Sequence, residues 1–225
     1  DLLKFIEYFA GAAVPTTAIV RRGWNAAAFD KTYDTGSPTS VLEPTVFRLW
    51  ITALMYTADT GGSSIMFEPE CGTFGWVGRA GTKRSVSNPI GDENVPRVYA
   101  ANECALRVVL MLLLADLLGI TYLVEQPLTS LLDVLPFMAR FLAMTGARKT
   151  ITYLGAYGAS SLKCIKLWHS RDTWPARLRR TFPLQRSLRF RPLCIKGCGR
   201  GKRLRSSRKY PLLFGEAIAQ LLLEG

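Results

Sequence analysis

The chain has 225 residues, 48% of them hydrophobic, which is enough for one domain with a sizeable core. Charged residues make up 20%, which excludes a disordered or fibrous bulk. The net charge of +12 is unevenly placed: residues 148–209 hold 18 of the 29 lysines and arginines but only one acid, Asp172, leaving 11 basic and 16 acidic residues elsewhere.

In chain order, residues 2–9, "LLKFIEYF", read as a first strand, apolar and rich in aromatics. The small-residue turn "AGAAVPTT" follows, and Pro15 suits the first turn of a helix, where its missing N–H costs nothing. That helix is expected to run to Arg22 and to end at Gly23. "NAAAF" is a short second strand that ends at Asp30. Residues 43–59 have helical periodicity. Residues 63–67, "SSIMF", form a third strand, followed by the loop "EPECGTFGWVGRAGTKRS". Residues 95–118 read as a long helix, and 120–124 as a fourth strand with "EQP" after it. "SLLDVLPFMARFLAMTG" reads as a helix containing Pro136. "RKTITYLGAYG" and "KCIKLWH" are the fifth and sixth strands. Residues 171–209 are basic and irregular, with a helix expected near "WPARLRR", and "PLLFGEAIAQLLLE" closes the chain as a helix.

Strands alternating with helices predict an α/β fold: a Rossmann-like, doubly wound, mostly parallel sheet with helices on both faces. The expected division is a Rossmann-like domain over 1–170, a basic extension over 171–209 and a closing helix over 210–225 packed on the domain. The apolar run at 106–124 contains Arg107 and Asp116 and is broken by Gly119, so it reads as a buried helix and strand rather than a membrane span. No signal peptide is read in the opening residues, although a removed presequence stays open. Five scattered cysteines point to free thiols in a reducing, intracellular compartment, nucleus or organelle included. Cys194 and Cys198 lie downstream of His169, but zinc would need a fourth ligand and a tighter knuckle, so no metal site is expected.

Ligands of doubly wound sheets bind at the carboxyl ends of the strands, and the distinctive stretches all fall there. A small-residue turn lets a ligand approach the backbone, and the next helix start offers N–H groups and a partial positive charge. Asp30, at the end of strand two, could accept both hydroxyls of a ribose. Gly11 is the turn's only glycine, so the stretch reads equally as a nucleoside-cofactor site or as a tight turn with no ligand.

The order "FAG" (Phe9 to Gly11), Asp30, "PEC" (Pro69 to Cys71) and "VEQP" (Val124 to Pro127) resembles the cytosine-5 DNA methyltransferases. More closely, the chain looks like a group of protist proteins related to them, through "CGT" at Cys71, "RAGTKRS" from Arg79, "PIGD" at Pro89, "LVEQP" at Leu123 and "YPLLFGEAIA" at Tyr210. The resemblance covers nearly the whole chain. It implies that Glu7, Phe9, Gly11 and Asp30 hold S-adenosylmethionine. It also implies that Cys71 attacks carbon 6 of a cytosine and that Glu125 contacts the ring nitrogen. A thiolate is the attacking species, and a protonated or hydrogen-bonded ring nitrogen makes the ring electrophilic.

There are departures. Glu70 stands between Pro69 and Cys71, and a carboxylate beside a thiol disfavours the thiolate. In place of an arginine-rich family segment stands "GASSLKCIKLW", with only Lys163 and Lys166. Cys71 therefore also reads as a structural loop thiol, and Glu125 as a carboxylate that satisfies helix N-terminal N–H groups beside Pro127. Trp24, Trp50 and Trp76 read as core packing.

The basic region mixes arginines with aromatic rings. This suits largely electrostatic, salt-dependent binding of DNA or RNA, or a place in a larger assembly; the plain alternative is a solvated tail. The phosphate contacts expected are Arg79, Arg84, Arg179, Arg180, Arg189, Arg200, Lys202, Arg203, Arg205 and Arg208. Two functional readings result: an S-adenosylmethionine-dependent methyltransferase-like protein acting on or bound to nucleic acid, or a catalytically silent copy of that fold serving as a nucleic-acid-binding or structural subunit. A dinucleotide-dependent oxidoreductase is disfavoured because the turn lacks the three-glycine fingerprint.

Overall fold

A computed structural model describes residues 3–33, 40–58, 62–159, 162–171, 178 and 209–223. Six strands, β1 (Phe5–Tyr8), β2 (Ala26–Phe29), β3 (Ser64–Phe67), β4 (Thr121–Pro127), β5 (Arg148–Tyr153) and β6 (Cys164–His169), form one sheet in the order β2-β1-β3-β4-β6-β5. The pairs β1–β2, β1–β3 and β3–β4 are parallel, and β6 runs antiparallel to both β4 and β5. The fold is thus α/β with a mostly parallel sheet, as the alternating elements predict. The described helices are α1 (Val14–Arg21), α2 (Pro44–Ala58), α3 (Arg79–Thr82), α4 (Pro96–Leu117), α5 (Pro136–Thr145) and α6 (Leu212–Leu223).

The period of two along each strand divides the sheet into two cores. Ile6, Tyr8, Ile65, Phe67, Tyr122 and Val124 point to one face, where they meet Trp50 and Leu54 of α2, Val108 and Leu112 of α4, and Phe141 of α5. Phe5, Met66, Leu123, Ile165 and Leu167 point to the other, against Ala18 and Ile19 of α1 and Phe214, Ile218 and Ala219 of α6. The closing helix is therefore a partner of α1 in the second core. α4 is long and apolar enough to cross a membrane by length and composition. Its residues Val98, Ala105, Val108, Val109, Leu112 and Ala115 are buried at helical spacing, the pattern of a core helix.

Three boundaries differ from the sequence reading. "EQP" is not a loop after β4; it is part of the strand, because Glu125, Gln126 and Pro127 pair with Leu167, Lys166 and Ile165 of β6. Pro136 does not lie inside a helix but opens α5, after a short 3-10 turn at Leu132–Val134, since proline lacks the N–H that a helix interior needs. β5 stops at Tyr153, and a 3-10 turn, Leu154–Tyr157, lies between it and β6 in place of a helical crossover, so β6 returns antiparallel.

The chain passes from β1 outward to β2, then back across β1 to β3 on its other side. This reversal is a topological switch point, and the crevice of an open α/β sheet lies outside the carboxyl ends of such strands.

Candidate functional site at the carboxyl ends of β1, β3 and β4

The turn after β1 is tightly wound. Phe9, Gly11 and Ala13 have φ values of 62°, 52° and 48°, and two of these three left-handed residues carry a Cβ. Non-glycine residues hold that conformation at a cost that the surroundings must offset. Phe9 is braced edge-on against Trp50, with ring centroids 5.0 Å apart, and Ala10 N donates to Phe29 O at 3.0 Å. A Cβ built on Gly11 would meet nothing within 4 Å, so the space over the turn is open.

Asp30 reaches back to this turn. Its Oδ2 accepts from Gly11 N at 2.9 Å, and its Oδ1 accepts from Thr32 N at 2.7 Å and Thr32 Oγ1 at 2.5 Å. A carboxylate oxygen has two lone pairs, so Oδ1 is saturated and Oδ2 keeps room for one donor.

The strand register explains why acids gather here. Glu7 follows Phe5 at period two on the α1–α6 face, Glu68 follows Met66, and Glu125 follows Leu123. Phe67 pairs with Val124, so Glu68 and Glu125 lie side by side just beyond that pair, with Glu7 diagonal to them on β1. Glu7 is fully buried, Glu125 is 5% exposed and Glu68 is half-buried. Glu7 Oε2 accepts from Thr16 N at 2.8 Å and Thr16 Oγ1 at 2.6 Å, which ties β1 to the first turn of α1. The second oxygens, Glu7 Oε1, Glu68 Oε1 and Glu125 Oε1, are buried and accept no hydrogen bond from the described protein.

Burial is the main cause of every shift at the site. It raises Glu7 to about 7, against the lowering effect of the Thr16 donors. Glu68 is raised well above the carboxylate range by burial and then by the charges of Glu7 and Glu125. Glu125 is raised by burial, opposed by Lys163 and the Tyr210 hydroxyl. Tyr210, just before α6, is itself pushed up by burial and by Glu125 and Glu68; its ring rests against Phe214, centroids 5.0 Å apart.

Cys71 lies in the loop after β3, its carbonyl accepting from Gly75 N at 2.8 Å and Phe74 N at 3.1 Å. Burial pushes its thiol up, the Glu125 charge adds to that, Lys163 opposes it, and Glu70 contributes least. Glu70 points outward instead and pairs with Lys31 at 2.6 Å, both side chains exposed. The expected suppression of the thiolate is present, but burial and Glu125 cause it more than the adjacent Glu70. Gln126 holds the loop in place: its Nε2 donates to Pro69 O at 2.6 Å, while its Oε1 accepts from Ser130 Oγ at 2.8 Å.

The structure thus brings Glu7, Asp30, Cys71 and Glu125 to the same end of the sheet. Glu68, Tyr210 and Lys163 join them and were not assigned to the site from sequence. The signal for Glu68 was an acid at an inward position ending an apolar strand; for Tyr210 it was a tyrosine opening an apolar helix segment. Glu125 caps no helix, because it belongs to β4.

Of the two described arginines read as phosphate contacts, Arg79 is partly exposed and Arg84 is buried. Arg79 Nη2 donates to Thr129 O at 3.2 Å. Arg84 is 2% exposed, stacks 4.1 Å over the Phe74 ring, and donates to Ile90 O at 3.0 Å, Asn102 Oδ1 at 2.9 Å and Val98 O at 3.4 Å. It knits the loop onto α4 and has no surface for a phosphate. Arg179, Arg180, Arg189, Arg200, Lys202, Arg203, Arg205 and Arg208 lie outside the described residues. So does the helix expected near "WPARLRR", apart from the buried Leu178, whose carbonyl accepts from Tyr157 Oη at 2.9 Å.

Among the described residues no group of His, Cys, Asp or Glu is arranged to hold a metal ion. His169 Nδ1 donates to Arg171 O at 2.6 Å and its Nε2 meets Thr150 Oγ1 at 3.0 Å, so the ring is engaged within the sheet. No protein-family model matches the chain, and no curated protein matches it.

Proposed function

We propose that the chain is a Rossmann-like, S-adenosylmethionine-dependent methyltransferase-like protein, related to the cytosine-5 enzymes and acting on or bound to nucleic acid. The observation that carries this reading is the meeting of Glu7, Asp30, Cys71 and Glu125, far apart in sequence, at the switch point of the sheet. The residues fit the cofactor in three respects: open space over Gly11, one spare lone pair on Asp30 Oδ2, and the orphaned Glu7 Oε1 beside the start of α1. When bound, the cofactor supplies an electrophilic methyl group. The protein's part is to hold it and to prepare the base. Glu125, raised by burial, is suited to carry a proton and donate it to a ring nitrogen. A protonated Glu125 also removes its own charge from beside Cys71, which eases ionisation of the thiol.

A second reading has its own support. The Cys71 thiol is pushed up rather than down, and Asp30 has given three of its acceptor sites to Gly11 and Thr32. Both favour a catalytically silent copy kept for binding or assembly. Calorimetry of the purified chain with S-adenosylmethionine separates the readings. Micromolar binding that Asp30→Ala abolishes, with methyl transfer that Cys71→Ser abolishes, supports the enzyme. Binding without transfer supports the silent copy, and no binding removes the cofactor assignment.

A further inference from the structure

Neither reading gives Glu68 a role, yet it sits between the other two acids. Glu68 stands beside Glu125 across the β3–β4 pairing and diagonal to Glu7 across the β1–β3 pairing, and the Tyr210 hydroxyl is near enough to bear on the ionisation of Glu68 and Glu125. Two ionised carboxylates only accept, and one tyrosine hydroxyl donates once. Three carboxylates gathered away from water repel one another, so at least one of them holds its proton in the free protein. Three carboxyl oxygens remain buried without a donor, one on each acid. A buried acceptor without a donor is costly, so the site is built for a group that brings its own positive charge or N–H bonds. Around it stand Asp30 and Tyr33 on the β2 side, Cys71 after β3, Lys163 before β6 and Tyr210 before α6. Lys163 is the cation whose charge registers on both Glu125 and Cys71.

We propose that Glu7, Glu68 and Glu125 form a receptor for a small organic cation, and that the cation enters by displacing a proton held among the three carboxyls. The balance is simple: the cation takes up the carboxylate charge and one proton leaves to solvent, with no covalent bond changed. Applied to the cofactor, this deepens the methyltransferase reading and rests on it. S-adenosylmethionine carries a sulfonium and an ammonium, and its thioether product, S-adenosylhomocysteine, keeps only the ammonium, so a triad that faces the sulfonium favours the substrate over the product.

The test is calorimetry of the full chain with S-adenosylmethionine, S-adenosylhomocysteine and methylguanidinium, each in phosphate and in Tris. The dependence of the heat on buffer ionisation counts the protons released. Binding of S-adenosylmethionine should release up to about one proton, and its Kd should fall by up to about tenfold per pH unit while the free triad holds its proton, levelling off once that proton is lost. Glu68→Gln should reduce the proton release and weaken S-adenosylmethionine by about tenfold or more, with a smaller loss for S-adenosylhomocysteine, and a native circular-dichroism spectrum reports that the variant is folded. Binding of S-adenosylmethionine without proton release overturns the inference and leaves the cofactor reading standing. Methylguanidinium binding with proton release, alongside no binding of S-adenosylmethionine, keeps the receptor and removes the cofactor reading. If neither binds, both fall.

Discussion

Replacing Glu7 by glutamine should make the free protein more stable at alkaline pH. Glu7 is fully buried, and its carboxyl is raised from 4.5 to about 7 in the folded state. The folded chain therefore holds this proton over a range in which the unfolded chain has lost it. Stability from this group is complete below the unfolded value and is lost as pH rises through the folded one. Each pH unit in that window removes about 1.4 kcal/mol, and the whole window about 3 kcal/mol. A glutamine keeps an amide oxygen for Thr16 N and Thr16 Oγ1 and places an N–H donor toward Glu68, so the tie between β1 and α1 survives. Urea unfolding of both proteins, at pH steps from about 5 to about 8, reads the difference as a change in slope. Near the lower end the two should be similar; near the upper end the variant should be more stable by up to about 3 kcal/mol. Glu68 keeps its own titration, so a residual slope is expected in the variant. Parallel curves, or a variant less stable at every pH, would refute the idea that Glu7 is buried at the expense of its charge.

Glu125→Gln should speed alkylation of Cys71 by iodoacetamide by a few-fold to about tenfold at a pH where Glu125 has lost its proton, because it deletes the leading charge that raises the thiol. Mass spectrometry of the Cys71 peptide checks this apart from Cys104 and Cys164; an unchanged rate would mean that burial alone sets the thiol. Lys166 Nζ lies 2.5 Å from Asp133 Oδ1 and 2.7 Å from Ser130 O, with the lysine side chain 5% exposed. Lys166→Met should cost about 3–5 kcal/mol in chemical denaturation, and adding Asp133→Leu should recover most of it. Gly215→Ala should loosen α6 from α1, since a Cβ there would sit 2.8 Å from both Val14 O and Val14 Cγ1. A loss of about 1–3 kcal/mol, with faster amide exchange in Leu212–Leu223 than elsewhere, is expected; uniform exchange rates would show that the helix does not dock there.

The sequence by itself determined the class of fold and the elements of the first half. Apolar runs of strand length, helical periodicity, Pro15 near a helix start and Gly23 after its end are written in neighbouring residues, and their physics is local. The same locality made Glu7, Gly11 and Asp30 legible as one turn, because short chain segments constrain how far apart they can lie. The direction of β6, the membership of "EQP" in β4 and the place of Pro136 were decided by pairing partners that no local pattern contains. The acid cluster was decided there too. Glu7, Glu68 and Glu125 become neighbours only through the register of three parallel strands, and Tyr210 reaches them only because α6 packs on α1. Their charge states follow from burial and mutual repulsion, and both are properties of the assembled sheet. A glutamate in the chain is an ordinary acid; only the tertiary structure, by removing water and bringing like charges together, makes these three harder to ionise.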